Sequence, residues 1–147
     1  MTSQTPIEER FASALHAAAR AWRQALDRRL RHLGISQAGW LAVTVTAKSK
    51  NPQSQTELAD KLGVEAATMV AMIDRLVKAQ LVIREPSKTD RRVKYVALTE
   101  AGNRLYTNVR VEAEAFRREV LANVDRTRLV AATELLEELL KVVEAQR

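Results

Sequence analysis

The chain has 147 residues, the length of one ordinary domain, with 46% apolar residues, 4% aromatics, 4 Gly and 3 Pro, a composition that favours a core of packed long helices over a turn-rich β fold. A net charge of +6 and a pI near 10.1 fit a polyanionic partner, while the lack of cysteine excludes disulfides, thiolate nucleophiles, thiol redox sensing and cysteine zinc sites. No apolar signal segment opens the sequence and no stretch approaches the ~20 apolar residues needed to span a bilayer, so the expectation is a cytoplasmic protein without a membrane partner.

In chain order, Thr5-Pro6-Ile7-Glu8 reads as a capping box with proline at the first helical position. Phe11, Leu15, Ala18, Trp22, Leu26, Leu30 and Leu33 follow at three- and four-residue steps, predicting one long helix ended by Gly34. Its single narrow apolar stripe calls for a partner chain to cover it. Ser36 caps a second helix carrying Trp40, Leu41 and Val43 to about Lys48, and Asn51-Pro52 breaks the chain. Ser54-Gln55-Thr56-Glu57 is a further capping box opening a short helix, and Gly63 stands where the chain must turn sharply. The next helix is predicted from about Glu65 to Ala79.

The period then changes. Leu81–Arg84 and Val93–Leu98 are rich in β-branched residues and read as two strands of a hairpin around the basic turn segment 86–92. Thr99 caps a long helix carrying Leu105, Val109, Ala113, Phe116 and Val120, and Asp125 caps a last one carrying Leu129, Leu135, Leu136, Leu139, Val142 and Val143. The expected fold class is mainly α with a small β-hairpin: a winged helix-turn-helix over 35–102, plus a helical dimerisation region formed by 1–34 and 103–147.

Residues 55–76 carry the helix-turn-helix signal. A small residue (Ala59) and a turn glycine (Gly63) let two helices cross closely, and Met69, Met72, Ile73 and Leu76 form an i, i+3, i+4, i+7 inward stripe on the second. An arbitrary helical hairpin has the same pattern, but the basic hairpin that follows favours a winged helix, with the second helix in the major groove of double-stranded DNA and the loop on backbone or minor groove. Seven basic residues fall between Arg75 and Lys94 (Arg75, Lys78, Arg84, Lys88, Arg91, Arg92, Lys94). Lys88, Arg91, Arg92 and Lys94 stand where they can meet phosphates. Thr68 and Arg75 on the second helix, and Ser54 and Thr56 at a helix N-terminus, complete the candidate DNA-binding set.

Leu81-Val82-Ile83-Arg84, then Asp90-Arg91-Arg92, then Val96-Ala97-Leu98-Thr99-Glu100-Ala101-Gly102 resemble the wing signature of the MarR family of transcriptional regulators, and the resemblance extends over nearly the whole chain. Trp22-Arg23, Leu26-Asp27, Arg29-Leu30 and the distance to Trp40 resemble its SlyA branch. The resemblance implies a homodimeric repressor or activator, paired through the first and last two helices, with one winged helix on each half of a palindromic site. It also implies that Asp90 pairs with Arg92 and steers it into the minor groove, as a carboxylate two residues away in a tight hairpin can. This sequence departs from the family on the recognition helix, where Glu65, Ala66, Ala67, Thr68, Val70 and Ala71 stand and position 71 lacks the family's arginine. Alanine and valine touch only a thymine methyl, so either specificity rests on Thr68, the wing and DNA shape, or DNA binding is weak and broad.

Many members of that family release DNA when small aromatic carboxylates bind between the dimer helices and the DNA-binding lobe, and Arg20, Arg23, Ser36 and Trp40 lie near the matching region for such an aromatic carboxylate or phenolic effector. The alternative places the tryptophan in the core and the arginines at the surface. His16 and His32 are isolated, so no metal cluster and no cofactor is expected. No phosphate-cradling glycine loop, nucleophile elbow or paired-histidine motif supports an enzyme. The competing non-enzyme reading is a winged helix used for protein contacts, which the alanine- and valine-rich helix face suits.

Overall fold

The computed structural model describes residues 4–146. Helix α1 spans Ile7–Leu30 and passes into a single 3-10 turn, Arg31–Leu33, which closes on Gly34 at φ +72°. The glycine expected as the stop is in place, in the left-handed conformation, but the last turn before it is wound tighter than an α-helix. The capping box at Thr5 is not made. Pro6 itself occupies the cap position, with no side-chain hydrogen bond there, which leaves Thr5 one place before the position from which a hydroxyl reaches the first free N–H groups.

Helix α2 (Gln37–Lys48) starts on Ser36, whose Oγ accepts from the Gly39 N–H at 3.3 Å. A two-residue strand, β1 (Gln53–Ser54), comes next, then α3 (Gln55–Leu62), α4 (Ala66–Lys78), β2 (Val82–Pro86), β3 (Lys94–Leu98), α5 (Glu100–Val120) and α6 (Arg126–Glu144). The sheet is antiparallel in the order β1-β3-β2, with Val82 opposite Leu98, Pro86 opposite Lys94 and Gln53 opposite Val96. It therefore has one strand more than the expected hairpin, and β2 runs two residues beyond Arg84. Two-residue β1 has too few positions to show alternation in a sequence.

The chain forms two compact units that divide between Ala113 and Glu114. In the first, Ala42, Val43, Leu58, Ala59, Met69, Met72, Ile73, Leu76, Val82 and Val96 make a continuous core from α2, α3, α4, β2 and β3. The inward stripe of α4 is buried as its spacing requires. On α1, Leu26 and Leu30 are buried, whereas Phe11 and Leu15 toward its start are exposed. Gly102 at the start of α5 lies against the residue that leads into β2: a Cβ there would come within 2.0 Å of the Leu81 carbonyl oxygen, so only glycine fits. The second unit holds the end of α5 and all of α6. Asp125 caps α6 by accepting from the N–H groups of Thr127 and Arg128 at 2.8 and 3.2 Å. No side chain of α6 is buried, and Val130, Leu135, Leu136, Leu140, Val142 and Val143 are all exposed.

Candidate nucleic-acid interface

The helix-turn-helix is α3, a turn at Gly63 and α4. Gly63 adopts φ +66° and its N–H closes onto the Ala59 and Asp60 carbonyls, a left-handed cap that turns the chain into α4. Ser54 does two things at this corner. Its backbone pairs with Tyr95 of β3, and its hydroxyl accepts from the Glu57 N–H at 3.1 Å. The start of α3 is thereby fastened to the wing sheet. Thr56, in the first turn of α3, is exposed.

With Met69, Met72, Ile73 and Leu76 buried, the opposite side of α4 presents Ala66, Ala67, Thr68, Val70, Ala71, Asp74, Arg75 and Lys78 toward solvent. Thr68 is the one neutral hydrogen-bonding side chain on that face. Just past the cap of α4 at Ala79, Gln80 takes the left-handed conformation at φ +62° where a glycine is the usual choice.

The wing loop is built by short hydrogen bonds. Ser87 N–H donates to the Val93 carbonyl at 2.9 Å, and Ser87 Oγ accepts from the Thr89 and Asp90 N–H groups, each at 3.2 Å. Asp90 Oδ1 accepts from Arg92 N–H at 3.0 Å and Arg92 Nε at 3.1 Å, while Oδ2 accepts from Arg92 Nη2 at 3.1 Å. The guanidinium and then the backbone N–H of Arg92 hold the Asp90 carboxyl below its ordinary value of 3.8. The fork of Arg92 is thus held by a bidentate partner while its side chain stays 91% exposed. Lys88, Arg91 and Lys94 are exposed around it.

One residue of this region escaped sequence reasoning as a site residue. Arg84, in β2, donates from Nε to Gln55 Oε1 of α3 at 2.7 Å, and from Nη2 to the Val70 carbonyl at 3.4 Å and to the Asp74 carboxylate of α4. Its partners lie 29, 14 and 10 residues away, and no local spacing announces such a meeting.

Among the described residues, the four candidate effector residues do not line one common hollow. Arg20 and Arg23 line an open hollow on α1 with His16 and Gln37. Ser36 is engaged as a helix cap and lines a separate hollow of about 160 Å³, whose walls also include Met72 and Arg75. Trp40 is buried, and its indole N–H has no hydrogen-bond partner among the described residues. Among the described residues no group of three or more His, Asp or Glu is placed to hold a metal ion, and no helix is long and apolar enough to cross a membrane.

A helix-turn-helix whose second helix shows its outer face, followed by a basic antiparallel wing and flanked by long helices, defines a winged-helix regulator fold. The MarR family profile matches residues 41–94. The crystal structure of the transcriptional regulator PA3341 superposes with a TM-score of 0.84 at 36% identity, covering 92% of this chain and 98% of that one. AbsC, a MarR family transcriptional regulator from Streptomyces coelicolor, gives 0.85 at 19% identity with 99% of each chain covered. Staphylococcus aureus MarR in complex with salicylate and kanamycin gives 0.86 at 20% identity, covering 96% of this chain and 95% of that one. The chain belongs to the MarR family of transcriptional regulators.

Proposed function

We propose that this protein is a homodimeric, DNA-binding regulator of the family's SlyA-like branch, acting in the cytoplasm on a palindromic operator and released by a small aromatic or anionic ligand. The observation that carries the reading is the wing. Its loop is ordered by Ser87 and Asp90, and its best-organised cation, Arg92, is at once oriented and exposed. That is the arrangement a narrow, electronegative minor groove attracts. Lys88, Arg91 and Lys94 reach backbone phosphates, Ser54 and Thr56 offer a helix start to another, and Thr68 and Arg75 of α4 face the major groove or its edge. Base reading by α4 is sparse, so discrimination rests on Thr68, thymine methyl contacts to Val70 and the neighbouring alanines, and DNA shape.

The exposure of Phe11 and Leu15 on α1 and of the apolar side chains of α6 in a single chain supports a dimer paired through the helical regions 1–34 and 103–147. The salicylate complex of S. aureus MarR supports an aromatic carboxylate as effector. Arg20 and Arg23, on one hollow of α1, are the residues that would pair its carboxylate.

Selection from random duplexes followed by gel-shift titration at two salt concentrations tests the reading. A dimer with a preferred palindrome and an affinity that falls steeply with salt is expected. A chain that sediments as a monomer, or that ignores duplex DNA in dilute buffer, overturns it. The alanine- and valine-rich face of α4 favours one second reading, a winged helix for protein contacts, which gives no salt-graded DNA binding.

A further inference from the structure

We infer that Arg84 is a positioning residue that holds the wing and the recognition helix as one reading unit; this rests on the DNA-binding function proposed above. Side chains alternate across a strand, so Val82 and Arg84 of β2 point to the same face. Val82 is buried in the core against which α4 packs. Two residues nearer the wing tip, where that apolar core no longer reaches, Arg84 continues the contact by polar means. One guanidinium meets Gln55 in the first turn of α3, the backbone carbonyl of Val70 and the carboxylate of Asp74. A planar fork can satisfy acceptors on two helices at once; a lysine ammonium, a single point on a flexible stem, cannot hold the same geometry.

Exposure says where the value of this contact lies. The Arg84 side chain is 26% exposed and that of Asp74 60%, a setting in which an ion pair adds little to stability. The contact fixes a direction instead. It anchors the middle of α4 through a main-chain atom of Val70, and it withdraws Gln55 and Asp74 from base reading by pairing them with a cation inside the protein. A wing seated in the minor groove then dictates how α4 lies in the major groove, and the reverse.

The test uses the full-length protein, its selected duplex, a scrambled duplex of the same length, and the variants Arg84→Lys, Asp74→Ala and the double variant, each checked by thermal melting. Arg84→Lys keeps the charge and loses the fork. It is expected to lower the ratio of selected to scrambled affinity about tenfold, the scale of one mismatched base pair, with the salt slope unchanged. Asp74→Ala should lower the ratio in the same direction, and the double variant should lose no more than Arg84→Lys alone, as members of one network do. Should Arg84→Lys fail to fold, the exposed Asp74→Ala carries the comparison. An unchanged ratio overturns the assignment. So does an equal loss on both duplexes with Arg84→Lys, the mark of a phosphate contact, or a loss confined to one base pair, the mark of a direct reader. A wild-type protein without preference for any duplex removes the function itself, and the assignment with it.

Discussion

The wing and the recognition helix sit side by side and are built on opposite plans. The wing gathers four exposed cations, Lys88, Arg91, Arg92 and Lys94, and orders its loop by hydrogen bonds from Ser87 and Asp90. The exposed side of α4 carries mostly methyl groups, with Thr68 as its neutral polar side chain and its charges toward the C-terminal end. Under the proposed function, affinity and selectivity divide between them: charge on a fixed loop supplies salt-sensitive grip, and a methyl-rich helix discriminates by shape and by thymine.

The largest expected effect strikes the base of the wing. Gly102→Ala places a Cβ into the Leu81 carbonyl, and neither backbone segment can yield cheaply. Thermal or urea unfolding should show a loss of about 3 kcal/mol; a neutral variant would mean that the start of α5 and the wing base are not held together as described. Next comes the wing tip. Arg92→Ala should weaken binding by about 2 kcal/mol, and an unchanged gel shift would remove the wing from the mechanism. Smaller is the contribution of the helix. Replacing thymine by uracil in the selected half-site should cost about 0.8 kcal/mol for each methyl that Val70 or an alanine covers, and the cost should shrink in Val70→Ala. Equal affinity for both duplexes would show that α4 reads something other than methyls.

The smallest effect concerns pH. Because Arg92 lowers the Asp90 carboxyl from its ordinary 3.8, the contribution of the pairing is fully present above that value and is lost only as pH falls through the lowered one. The carboxyl carbon NMR shift of Asp90 should therefore stay flat between about pH 8 and pH 5, and a titration inside that window would contradict the bidentate contact.

Signals that act over a few residues are legible in the sequence. Ser36, Ser54 and Asp125 act as the helix caps their positions announce, and Thr99 accepts from the Gly102 N–H at 3.0 Å. The α4 stripe is buried as its period demands, and Asp90 meets Arg92 two residues away. One helix start misleads: Thr5 precedes the true cap by one place. The end of α4 falls at Lys78 with Ala79 as its cap, as read from the sequence, although the left-handed residue beyond it is Gln80 and not a glycine. The candidate effector residues show a different limit: Arg20 and Arg23 share a turn of helix and line one hollow, while Ser36 caps α2 and Trp40 is buried.

What the chain order determined alone is whatever a residue negotiates with neighbours a few positions off: helix periods, most caps and the turn at Gly63, with the Asp90–Arg92 pair implied by the family resemblance. Only the tertiary structure decided that β1 joins the sheet, that Gly102 must lack a side chain, and that Arg84 bridges two helices from a strand. Those contacts join segments far apart in the chain, so their geometry exists only once the core around Ile73 and Val82 has closed and brought them within reach.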